Sequence, residues 1–72
     1  MTAKKAIELM NLQVVCINKR LLTQETVYVL DGLTLRKNEN GYFYQAILRD
    51  IKNGNSLLVC RLEEIKEVKH DM

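Results

Sequence analysis

The stretch "ETVYVLDGLTLRK", residues 25–37, decides how this chain is read. Val27, Val29, Leu33 and Leu35 alternate with Tyr28, Leu30, Thr34 and Arg36. A period of two places each set on its own face of a β-strand. Asp31-Gly32 falls inside the run, and Asp-Gly is a strong hairpin dipeptide. A turn there would leave two very short strands, yet the alternation continues in phase through it. The stretch therefore predicts one long strand with a bend or bulge at Asp31-Gly32, where glycine relieves crowding.

Downstream, "KNENG" (37–41) predicts a hairpin loop ending on Gly41 with a positive φ. A second strand follows from about Tyr42 to Arg49 within "GYFYQAILRD". "IKNGN" (51–55) is the next loop, and its Asn53-Gly54 pair is a type I′ turn signal. "SLLVCRL" (56–62) predicts a third strand, and "EEIKEV" (63–68) one helical turn leading into a last short strand. Residues 69–72 read as a frayed tail.

Upstream, "TAKKAIELM" (2–10) reads as a helix capped by Thr2, with Ala3, Ala6, Ile7 and Met10 on one face and Lys4 in reach of Glu8. Its end has two readings. Ala3, Ile7, Met10, Val14, Ile17 and Leu21 form a heptad seam that permits a helix to about residue 22. Such a helix would be apolar round most of its circumference and would lean on a dimer. The β-branched Val14, Val15 and Ile17 favour instead a strand at 13–17, with Asn11 ending the helix. The second reading is preferred: helix 2–11, β-rich body 12–68, tail 69–72, all in one domain, 1–72.

The expected fold class is mainly β (α+β). A short N-terminal helix precedes a small antiparallel meander, with closure into a barrel favoured because the strands are apolar on both faces. The alternative is a long N-terminal helix on a three-stranded antiparallel sheet. A strand at 13–17, a long bent strand, two hairpins, then "RLEEI" and "KEV" resembles the order of an SH3-like or Tudor-like barrel over residues 12–68. That superfold places a single 3₁₀ turn before its last strand, and "LEEI" looks like it. The resemblance is one of strand pattern and implies a fold, not an activity. The proline-binding kind uses several aromatics and an acidic loop, whereas this chain has one Phe, three Tyr and no Trp.

Composition narrows the function. A 72-residue domain buries only about 60% of the surface its unfolded chain exposes, so it needs an efficient core or a partner subunit. With 11 basic and 9 acidic residues the net charge is +2, and the signs are interspersed, which gives no electrostatic footprint for nucleic acid. No apolar run reaches the length of a membrane span, and no signal peptide is read, so a cytosolic chain is expected. Cys16 and Cys60 sit in the apolar runs "VVCI" and "LLVC" and read as small buried hydrophobes. With two isolated cysteines and one histidine, His70, in the tail, neither a metal site nor a Cys/His nucleophile is expected. Glu63, Glu64 and Glu67 read as a solvated face. No cofactor is expected, and no enzymatic activity.

The expected role is binding to another protein. Self-association is a form of it, motivated by Leu9, Leu12, Leu21 and Leu22 exceeding what one helix buries on one sheet face. The alternative is a nucleic-acid-binding barrel. The candidate contact residues are Tyr28, Tyr42 and Tyr44, with the basic pairs Lys19-Arg20 and Arg36-Lys37 at strand ends. If Phe43 and Ile47 face the core, Tyr42 and Tyr44 lie on the outer face and can stack a base or anchor a protein. In the competing reading the tyrosines cover the core beneath the helix, a role that fits Ala46 and Leu48 on their face.

Overall fold

The structure, a computed structural model, describes residues 1–17 and 26–68. Lys19, Arg20, Leu21, Leu22 and the 69–72 tail lie outside the described residues. The elements run α1 (Ala3–Glu8), β1 (Gln13–Cys16), β2 (Thr26–Asn38), β3 (Gly41–Asp50), β4 (Leu57–Arg61), a 3₁₀ turn (Leu62–Glu64) and β5 (Ile65–Glu67). All five strands form one antiparallel sheet in the order β4-β3-β2-β1-β5. The fold is mainly β with one short helix. The long-helix alternative is overturned, since residues 13–16 pair with β2 as a strand.

The helix is shorter than its expected 2–11 span. Thr2 caps it, its hydroxyl accepting from the Lys5 amide at 3.1 Å. Asn11 stops the chain continuing as helix by taking φ 68, a left-handed conformation that asparagine tolerates. The amide of Asn11 then donates to Leu30 O at 2.8 Å, and the amide of Leu30 donates to Leu12 O at 2.9 Å. These two bonds latch the helix exit onto the middle of β2. The buried face of the helix is Ala6 and Leu9, with Met1 and Met10 packed behind them. Ile7, expected inside, is exposed, and the partner of Glu8 is Lys5 at 3.8 Å, where Lys4 was expected.

Asp31-Gly32 is a bulge within one long strand, as the alternation predicts, and it changes which residues share a face. Leu30 pairs with Leu48 and Gly32 with Ile47, so Asp31 is the extra residue. One extra residue shifts the side-chain phase by one. Tyr28 and Leu30 therefore share the inner face with Leu33 and Leu35, while Val27, Val29, Thr34 and Arg36 share the outer face. The grouping of Val27 and Val29 with Leu33 and Leu35 is corrected by that shift.

The sheet is rolled but not closed. Four inter-strand spacings would separate β4 from β5 by about 19 Å if the sheet were flat. The 3₁₀ turn of three residues bridges only about 8 Å from the end of β4 to the start of β5. The sheet must curl for that link to reach. No ladder joins β4 to β5, so the barrel expected from the pattern is left open along that seam. Backbone bonds tie its corner: Ile17 N to Glu64 O at 2.8 Å, and the N-terminal ammonium to Leu62 O at 3.2 Å.

The core fills the curl. Ala6, Leu9, Val14, Cys16, Leu30, Ala46, Leu48, Cys60 and Ile65 form one buried cluster, with α1 packed against its side. Leu30, Leu48 and Leu58 face each other across β2, β3 and β4. Beyond this region β2 and β3 continue alone as a two-stranded ribbon, which carries the long dimension of the molecule to 41 Å.

The ribbon ends in Glu39-Asn40, where Asn38 Oδ1 accepts from the Asn40 amide at 2.8 Å. Gly41 follows at φ 125, with nothing within 4 Å of where a Cβ would stand. Gly41→Ala is therefore expected to cost about 1–3 kcal/mol through backbone strain alone. Gly54→Ala, in equally open space and without a positive φ, should stay within about 0.5 kcal/mol. Urea unfolding of the two variants checks the contrast. The second loop differs from the expected type I′ turn, because neither Asn53 nor Gly54 has the positive φ that turn requires. Asp50 Oδ1 organises it instead, accepting from the amides of Lys52 (2.8 Å) and Asn53 (3.2 Å).

Candidate interaction surfaces

Three groups of side chains are candidates for chemistry: the ribbon tyrosines, the outer face of the sheet, and the two thiols.

Cross-strand partners share a face, so the ladder places the tyrosines directly. Tyr44 is opposite Leu35, and Tyr42 is opposite Lys37. All four lie on the face that, further along β3, carries the buried Ala46 and Leu48. The premise that Phe43 and Ile47 face the core is thus reversed: both point outward and are half-buried. The tyrosines still do not cover the core. Tyr42 is 71% and Tyr44 44% exposed, because the ribbon carries them past the last residue that β1 or the helix covers. Lys37 Nζ stands 5.5 Å from the Tyr42 ring centre, a cation–π arrangement.

The other sequence candidates do not join them. Tyr28 pairs with Val14 and Asp50 near the base of the sheet, roughly 20 Å along the strand from Tyr44. It packs against the core, and burial, aided by the nearby Cys16, Asp50 and Cys60, raises its phenol above the ordinary 10.0. Arg36 is opposite Phe43 on the outer face, so the Arg36-Lys37 pair is split between two faces. Lys19 and Arg20 lie outside the described residues. Among the candidates, the structure brings together Lys37, Tyr42 and Tyr44.

The outer face of β2, β3 and β4 was missed by the sequence reasoning. Val59 is opposite Ile47, which is opposite Gly32, and Leu57 is opposite Arg49, which is opposite Val29. Val59 and Leu57 are 52% and 58% exposed, at the outermost strand. Arg49 is ion-paired with Asp31 of the bulge at 3.7 Å, a half-exposed pair of small energetic weight. The signal was present in "SLLVCRL", which is apolar on both faces, but one face cannot be told from the other without the bulge.

Cys16 and Cys60 lie on β1 and β4, strands that are not neighbours in the sheet, yet the curl brings their side chains into hydrogen-bond contact. Both are free thiols buried in the core, as small hydrophobes would be. Burial, then Cys16, then Glu64 push the Cys60 thiol from 9.0 up to about 12. Burial likewise raises Cys16, partly offset by its hydrogen bond to Cys60. Both stay protonated at neutral pH and are poor nucleophiles.

The folded Cys60 thiol ionises later than the unfolded one. Its contribution to stability is complete below pH 9 and is lost as pH rises from about 9 to 12. The urea midpoint should therefore fall across that interval, and Cys60→Ala should flatten the fall.

Among the described residues no group of three or more His, Cys, Asp or Glu side chains could hold a metal ion, and no helix is long and apolar enough to cross a membrane. Of the three C-terminal carboxylates, Glu64 accepts from the Arg61 amide at 3.2 Å and Glu67 pairs with Lys5 at 3.5 Å. No family model matches the chain, no curated protein matches it, and no solved structure matches it.

Proposed function

We propose that the protein is a small non-enzymatic interaction module that docks another protein on the outer face of β2, β3 and β4. The observation that carries this reading is the exposure of Leu57 and Val59 beside the half-buried Ile47 and Val29 on one face of the sheet. Exposed apolar side chains that adjoin one another lower their free energy by removing water against a partner. Leu12, at 54% exposure, adds to the surplus, whereas Leu9 is consumed by the core. The framework fits an SH3-like small barrel: a bent β2, a meander through β4, a 3₁₀ turn, and a β5 that returns to β1. A cytosolic setting is consistent with two free thiols.

The alternative, a nucleic-acid-binding barrel, is favoured by one observation, the Lys37–Tyr42 stack beside the exposed Tyr44. Single-stranded RNA and DNA, titrated at low and high salt with anisotropy detection, separate the two. No binding is expected at either salt concentration. Binding that weakens as salt rises, and that Tyr42→Ala with Lys37→Ala abolishes, would replace the protein-docking reading.

A further inference from the structure

We propose that β4 is the edge on which a second copy of this chain pairs, β4 to β4 and antiparallel, about a twofold axis at Val59. This rests on the interaction-module reading and adds to it a second contact, the β4 edge that borders the outer face, with a second copy as its occupant.

The two edges of the open sheet are built differently. The β5 edge has three residues, of which Lys66 and Glu67 are exposed, and Glu67 is tied to Lys5. Shortness and charge are the usual guards against edge-to-edge pairing. The β4 edge has five residues, Leu-Leu-Val-Cys-Arg, with no proline, glycine or bulge and no charge before Arg61. Among the described residues it has a strand partner on one side only, β3. Apart from the Arg61 amide, which donates to Glu64 Oε1 at 3.2 Å, the outward backbone amides and carbonyls of β4 form a template for another strand, and Leu57 and Val59 flank that template on the outer face.

The strand is complementary to itself. In an antiparallel pair centred on Val59, Val59 meets its own copy, Leu58 meets Cys60, and Leu57 meets Arg61. That register alone sets all five residues of both strands opposite one another, with the Arg61 amide passing from the exposed Glu64 carboxylate to the copy's Leu57 carbonyl. It also keeps face with face, since residues on one side of β4 meet residues on the same side of its copy. Arg61 is placed against Leu57, where its aliphatic stem covers apolar surface and its charge is far from the other Arg61. Sliding the register until Arg61 meets Arg61 would oppose like charges and lose most of the ladder. A twofold contact of this kind closes on itself, so the assembly stops at two.

Sedimentation of the purified chain and thiol cross-linking test this together. The wild type should sediment at twice its 8.4 kDa. Val59→Cys should form an intermolecular disulfide with glutathione disulfide as oxidant, because directly opposed residues of an antiparallel pair stand about 4.5–5.5 Å apart at Cα. Lys66→Cys, on the other edge, should not. Val59→Lys should weaken the dimer about tenfold or more while its circular dichroism stays that of the wild type. A monomer at high concentration overturns the proposal. So does a species larger than a dimer, which head-to-tail pairing of β4 on β5 would give, and so does a dimer that forms no cross-link at Val59→Cys. A monomer that binds no oligonucleotide ends the dimer and leaves protein docking standing. Salt-sensitive oligonucleotide binding ends the docking reading itself.

Discussion

Leu48→Ala is expected to destabilise the protein by about 2–5 kcal/mol, a large share of the roughly 4–11 kcal/mol that a domain of this length holds. Leu48 is fully buried on β3 between Leu30 of β2 and Leu58 of β4. Truncation removes its transfer energy and leaves a void that three strands border, so the surroundings cannot collapse without bending the sheet. Ile47→Ala is the contrast. Its side chain is as large but lies half-buried on the outer face, and its loss should cost about 1 kcal/mol. Urea unfolding followed by circular dichroism measures both. Equal effects, or the reverse order, would mean that the inner face has been assigned to the wrong residues.

The second large effect is at the helix. Ala6 is fully buried among core residues, so Ala6→Glu should cost about 3–5 kcal/mol by forcing an unpaired carboxylate into the core or the helix off the sheet. Glutamate is a good helix former, so propensity does not explain a loss of this size. Ile7→Glu, one residue on and 63% exposed, should change stability by no more than about 0.5 kcal/mol. The pair separates docking from helix formation. If both variants unfold at the wild-type midpoint, the helix contributes nothing to the core.

Much of the architecture was legible because its signals are local. The alternation in 25–37 and 41–50 marked two long strands, Gly41 marked the turn between them, and "LEEI" marked the 3₁₀ turn before β5. Val14 and Val15 marked β1 against a competing heptad, and the decisive residue was Asn11, which turns the chain out of the helix. The contact surface was less legible. Tyr42 and Tyr44 were singled out and are exposed, but they lie on the inward-facing side of a ribbon that outruns the core. Tyr28 was grouped with them by residue type and sits roughly 20 Å away along the strand.

The chain's own pattern of apolar and polar residues determined that this is a mainly β domain, where its strands and turns fall, and that β2 runs unbroken through Asp31-Gly32. Period and turn chemistry are properties of a few neighbouring residues, so they can be read without the rest of the molecule. Which side of each strand is inside was decided by the tertiary structure alone. One extra residue at Asp31 inverts the phase of everything beyond it, and a three-residue link from β4 to β5 forces the curl that joins Cys16 to Cys60. Both effects depend on residues far apart in the chain meeting in register.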